Sequence, residues 1–237
     1  NGNEVALITA TSSAVNEVTF VNAATGSNPS IDASGGDTNI GLALKTKGTG
    51  VIQAEDSGGN VSAVKIAGKE SIWVPAVAMY PNTTAGCADI AQVELSNGPE
   101  IKTLDFDKDS DESAQFAVAF PKSWNEGTVT FQAFFTADST NTGTVSWDLA
   151  GVAIADDGSC NTAFGTAVAP TAKAHSGTAN DLDVTAESGA VTIAGSPSTD
   201  EQVFFQITRD VSDDSLTADA KLLGIKLFFT TDAANDL

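Results

Sequence analysis

The stretch 202–231, QVFFQITRDVSDDSLTADAKLLGIKLFFTT, limits most strongly what this chain can fold into. It holds two apolar runs, 203–208 and 221–230, joined by an acidic linker that begins at Arg209. Alternation along the first run places Val203, Phe205 and Ile207 on one side and Phe204, Gln206 and Thr208 on the other. The second run is too short for a membrane-spanning helix and is rich in Leu, Ile and Phe. It predicts a strand in the middle of a sheet, buried on both faces. Such a pair needs a sheet on one side and a second sheet or a neighbouring subunit on the other.

The chain upstream predicts the same class of structure. Thr, Ser, Val, Ala and Gly dominate, and no segment holds a sustained helical period, so the expected fold is all-β. Strand candidates fall at 72–79, 91–95, 101–106, 114–120, 128–136, 144–154, 164–169, 182–186, 190–194, 202–208 and 221–230. With Gly/Asn/Asp turns between them they predict a two-sheet β-sandwich. Pro121-Lys-Ser-Trp-Asn-Glu-Gly127 reads as a corner: Pro121 ends one strand, Gly127 frees the backbone for the next, and Trp124 plugs one end of the sandwich. A short helical turn is expected within 213–220, and the aromatic residues are expected to be mostly core, with an exposed subset able to bind sugar that sequence does not separate from the rest.

Residues 1–70 have a different texture. Short apolar patches at 5–8, 18–21, 40–44 and 61–66 alternate with turn chemistry at 25–29, 34–37, 47–50 and 57–60. Strands so short cannot close a core within one chain. They predict copies that wind together, each completing its neighbour's core. A boundary is expected near residue 70, with an N-terminal β-repeat region over 1–70, to which the resemblance below adds attachment and trimerisation, and a second domain over 71–237.

The run Val18-Thr-Phe-Val-Asn-Ala-Ala-Thr-Gly26, followed by Asp37-Thr-Asn-Ile-Gly-Leu-Ala-Leu-Lys45 and Lys47-Gly-Thr-Gly-Val51, resembles stalk and attachment segments of tailed-phage fibres and head-decoration proteins. That resemblance covers roughly 16–54 and implies short β repeats in a homotrimer. Three later segments, Trp73-Val-Pro-Ala-Val-Ala-Met79, Phe120-Pro-Lys-Ser-Trp-Asn-Glu-Gly-Thr-Val129 and Leu216-Thr-Ala-Asp-Ala-Lys-Leu-Leu-Gly-Ile225, stand with Phe228-Phe229-Thr-Thr-Asp-Ala233. Together they resemble a domain of phage and prophage structural proteins. The resemblance implies a jelly-roll knob on a virion surface, usually trimeric.

Charge narrows the partners. With 31 acidic residues against 11 Lys+Arg the formal charge is -20, which argues against nucleic acid and against anionic membranes. Cys87 and Cys160 lie too far apart in sequence for a metal knuckle; two independent thiols are expected, and whether they pair is left open. No basic-plus-apolar leader and no run of transmembrane length is visible.

Candidate chemistry is sparse. Asp105, Asp107, Asp109 and Asp111, with Glu112, offer hard oxygen ligands of the kind calcium takes. The spacing fails as a helix-loop site: counted from Asp107, the sixth position is Glu112 and the twelfth Val118. An acidic solvent loop is the alternative, and Asp156-Asp157 and Asp213-Asp214 are weaker versions. His175, the single histidine, is expected to be exposed in a polar loop, next to Ser176. Arg209, scarce in kind, is expected to tie the 210–219 linker to the sheet or to a neighbouring subunit. No catalytic, cofactor or metal site is expected.

The two resemblances, with no obvious catalytic set beside them, imply a non-enzymatic virion structural protein. Its first form is a trimeric capsid decoration, cement or head-fibre knob on the virion surface, docked through 1–70 on the major capsid protein or another virion protein. Its second is a tail-fibre module recognising a host surface glycan through knob loops such as 156–163 or 171–180. A carboxylate-dependent polysaccharide-cleaving enzyme is the third.

Overall fold

The computed structural model describes residue 9 and residues 11–48, 52–55, 61–63 and 68–231, with backbone alone over 53–55 and 61–63. The expected patch at 5–8, residues 64–66 of the last patch and the turn 57–60 lie outside the described residues, as does the 49–51 end of the Lys47-Gly-Thr-Gly-Val51 run. Contacts divide the chain into two compact units, Asn1–Val64 and Lys65–Leu237.

The first unit holds two antiparallel hairpins. β1 (Asn16–Val21) pairs with β2 (Ser30–Gly35), and β3 (Gln53–Glu55) with β4 (Val61–Ala63). The β1–β2 register sets Phe20 opposite Ile31 and Val18 opposite Ala33. One side of this hairpin is therefore apolar. The other carries Glu17, Thr19, Asp32 and Ser34, where the Thr19 and Ser34 hydroxyls lie 2.7 Å apart and Ser34 donates to Glu17. The apolar side is open, with Phe20 76% and Ile31 54% exposed.

The second unit is a two-sheet sandwich. Its strands are β5 (Gly68–Pro75), β6 (Tyr80–Pro81), β7 (Ala91–Val93), β8 (Ile101–Phe106), β9 (Glu112–Ala119), β10 (Trp124–Thr136), β11 (Thr144–Val145) and β12 (Trp147–Ile154). They continue with β13 (Lys173–Ala174), β14 (Asp183–Val184), β15 (Ile193–Ala194), β16 (Gln202–Arg209) and β17 (Ala220–Thr231). One sheet runs β14-β10-β17-β8-β7, with β5 also on β17; the other runs β15-β12-β16-β9-β6, and β11 pairs with β13 alone. Consecutive β9 and β10 sit in opposite sheets, while β9 pairs with β16 and β10 with β17. Wrapping of this kind, between strands far apart in sequence, is that of a jelly roll.

The two runs that opened the argument become β16 and β17. Val203, Phe205 and Ile207 are wholly buried, and Phe205 stacks on its cross-strand partner Phe116 at 5.3 Å. Phe106 meets Trp147 edge-on across the sheets at 4.9 Å, and Phe120 packs on Trp124 at 4.2 Å and on Phe229 at 5.5 Å. Each such ring withdraws apolar area worth roughly 1.5–3 kcal/mol. β17 is central, between β10 on one edge and β5 and β8 on the other. It is not buried on both faces: Leu222, Ile225, Leu227 and Phe229 point inward, whereas Lys226 and Phe228 stand half-buried on the outer side.

Three local expectations change. At the corner, Trp124 is buried and its backbone N–H donates to the Pro121 carbonyl at 2.9 Å, but the left-handed residue is Glu126 (φ 59°), not Gly127. The Gly127 N–H is instead satisfied by the Asn125 side chain. Residues 164–169 form no strand; they touch β12 through the Leu149–Val168 bridge and the Gly165 N–H to the Gly151 carbonyl. The helical turn lies at Val211–Asp213, upstream of 213–220, capped by the Asp210 carboxylate on Ser212 N–H.

Candidate functional site

The outer face of the β17 sheet collects the side chains most suited to a ligand. Register places Trp73 of β5, Lys226 of β17 and Gln132 of β10 in one row across three adjacent strands. The next row is Ser71, Phe228 and Thr130; the row on the other side is Pro75, Gly224 and Phe134. Cross-strand neighbours on one face lie about 4.5–5.5 Å apart, so these nine positions form a continuous patch.

Trp73 stands at the β5 end of the middle row and is 49% exposed. Two features hold it. Phe134 braces it edge-on, ring centroids 5.0 Å apart. Beneath it β17 carries Gly224 at φ +154°, where a β-carbon would come within 2.8 Å of the indole. Opposite Gly224 the β10–β17 register shifts between Phe134 and Phe135, so the glycine serves both an irregular ladder and a flat seat for the ring.

Polar groups surround the rings. Lys69 and Lys226 place their ammonium groups 4.8 and 5.2 Å from the Phe228 centroid, within cation–π range. Glu187 accepts from both Lys69 and Thr130, and those two hydrogen bonds, Lys69 first, hold its carboxyl below the usual range. Gln132 donates to the Thr185 carbonyl at 2.9 Å, which fixes its amide on the face. A flat ring flanked by ammonium and amide groups can pack the C–H face of a sugar and donate to its hydroxyls.

The residues expected to carry chemistry sit elsewhere. His175 is not exposed: only 2% of it meets solvent. Its Nδ1 lies 2.6 Å from Asp183 Oδ2 and its Nε2 3.1 Å from the Ser139 carbonyl, so both ring nitrogens face acceptors. Lys173 Nζ stands 3.7 Å from the second Asp183 oxygen. The burial comes from this polar clamp on the 137–143 loop, not from apolar neighbours in sequence. Ser176 turns its hydroxyl to Asp181 at 2.9 Å, away from the imidazole.

The acidic loop disperses its carboxylates. Asp105 accepts from Thr103, Asp107 from the Asp109 N–H, Glu112 from the Asp107 N–H and Asp111 from the Val211 N–H, at 2.6–2.9 Å. Among the described residues no three His, Cys, Asp or Glu side chains gather as an ion would need. Asp214 is taken by Arg209, and Asp156 and Asp157 lie exposed in a turn. Asp148, half-buried on β12, is pushed up by burial and by Asp210, Asp213 and Asp111. Both cysteines are free; Cys160 is exposed, while burial pushes the Cys87 thiol up to about 12.

Sequence reasoning allowed for an exposed, sugar-binding subset of the aromatics but did not separate Trp73, Phe134 and Phe228 from the core ones. The available signal was parity: Phe134 and Phe228 alternate with Phe135 and Phe229, so one of each pair had to point out.

No family model matches the chain, and no curated protein matches it. Solved structures with some likeness include a cycloisomaltooligosaccharide glucanotransferase of Paenibacillus sp. complexed with cycloisomaltoheptaose, 12% identical at a TM-score of 0.33. The match covers 62% of this chain and 17% of the enzyme's length. A family 11 carbohydrate-binding module from Clostridium thermocellum, in complex with a β-1,3-1,4-mixed-linked tetrasaccharide, is 10% identical over 74% of this chain and 100% of its own, at a TM-score of 0.37. CBM27-1 of Caldicellulosiruptor saccharolyticus, in complex with mannohexaose, is 11% identical over 66% and 96%, at 0.36. At these scores the function rests on the geometry of the chain itself.

Proposed function

We propose that this chain is a non-enzymatic glycan-binding protein, displayed in three copies on a virion surface, that recognises a host glycan with the outer face of the β17 sheet. The observation that carries this reading is Trp73: a half-exposed indole seated on Gly224, braced by Phe134 and ringed by Lys226 and Gln132. Leaving so large an aromatic side open to water forgoes the burial that the rest of the sandwich obtains for its rings. The contact moves from the loops 156–163 and 171–180 to a rigid sheet, where side chains are held in place by the ladder.

The test is binding of wild type and Trp73→Ala to an array of surface glycans. Wild type is expected to bind saturably, and Trp73→Ala to lose at least tenfold in affinity at an unchanged melting temperature. A variant that binds as well as wild type sinks the assignment of this face.

A second reading, capsid decoration, is favoured by the open apolar side of the β1–β2 hairpin. There the first unit binds other copies and a virion protein such as the major capsid protein, and the sandwich is a passive knob. The two readings share the trimer and differ in whether the outer face has a ligand.

A further inference from the structure

Lys226 is out of keeping with a chain that holds 31 acidic residues against 11 basic ones. It lies in mid-strand on the central β17, between Trp73 and Gln132 in register, half-buried beside the Phe228 ring. Lys69, the other cation on this ring, is answered by Glu187. Lys226 has no carboxylate within ion-pair distance among the described residues. Its ammonium has the Phe228 ring 5.2 Å away and no carboxylate partner, so it is free to receive one from a ligand. A neutral sugar needs no cation here, since amide and hydroxyl groups satisfy its hydroxyls.

We infer that the glycan recognised on this face bears a carboxylate, as a uronic or sialic acid does, and that Lys226 receives it while Trp73 packs the ring of the same or the adjoining sugar. This rests on the glycan-binding reading above. Lys226 is a single compact charge, so one carboxylate per site is expected. Densely charged polyanions meet the repulsion of a surface whose formal charge is -20, which favours glycans with acidic groups spaced along a largely neutral chain.

The experiment applies full-length wild type, Lys226→Gln and Trp73→Ala to one array holding carboxylated, sulfated and neutral glycans, with the methyl esters of the carboxylated ones. Melting temperatures establish that each variant is folded. The expected result is wild-type binding to carboxylated glycans at least tenfold tighter than to their methyl esters. Lys226→Gln should bind acid and ester alike, through loss of the tighter acid binding, and Trp73→Ala should bind neither. Binding confined to neutral or sulfated glycans overturns the carboxylate inference and leaves the glycan reading standing. So does equal binding of acid and ester, or a preference that survives Lys226→Gln. A wild type that binds no glycan overturns both.

Discussion

Arg209 sends one guanidinium in several directions from a position wholly shut off from water. Its Nε donates to Asp214 at 2.7 Å, Nη1 to the carbonyls of Phe106 and Ala218, and Nη2 to that of Leu216. These bonds fasten the 210–219 linker to β8 of the opposite sheet. Arg209→Ala would leave a buried carboxylate and three carbonyls unpaired, so a loss of about 3–5 kcal/mol is expected, read as a lower urea midpoint at unchanged slope. Arg209→Lys recovers little of it, because a point ammonium cannot reproduce the planar fork. A midpoint within experimental error of wild type would show that the linker does not depend on this residue. Arg209 was legible because cations are scarce in this sequence. His175 was not: it is buried by Asp183, eight residues on, and by the Ser139 carbonyl on a separate loop, neither of which marks its own sequence neighbourhood.

At the scale of the element, the β1–β2 hairpin has two unlike faces and a partner for only one of them. Its polar side makes its own hydrogen bonds, while Val18, Phe20 and Ile31 face water. A two-stranded hairpin is marginal by itself, and one with this asymmetry gains most from burying the apolar side against copies of itself. Light scattering on the full chain at micromolar concentration is expected to give three times the mass of one chain, and Phe20→Asp is expected to shift it to a single chain without lowering the melting temperature of the sandwich. A monomeric wild type would remove the three-copy proposal. The long strands were legible where large side chains alternate over six residues or more, as in β8, β9, β16 and β17. The ladder fragment β13 was hidden because a two-residue strand has no period, whereas β14 falls within the expected strand at 182–186. Alternation also says which residues share a face but not which face meets the second sheet, and for that reason Trp73 was not told apart from the core aromatics.

For the whole molecule, the chain divides into a small hairpin unit and a large sandwich, which the proposed function casts as attachment and display. An antibody to residues 71–237, applied to intact particles and viewed by electron microscopy, is expected to label the tail if the sheet face binds a host glycan. Label spread over the head would make decoration the primary role, and unlabelled particles would remove the virion assignment. The sandwich was legible as a class from turn chemistry and strand count, whereas its wrapping was not, since pairing between β9 and β16 leaves no local trace. That wrapping has a temporal consequence. β17 is the strand that β5, β8 and β10 all pair with, and it is made last among them. A ribosome that has not yet reached residue 220 holds three strands whose common neighbour does not exist. Their inner faces must stay out of mispairing until it arrives, so this domain cannot close before β17 is made, and its aromatic interior stays open to chaperones until then.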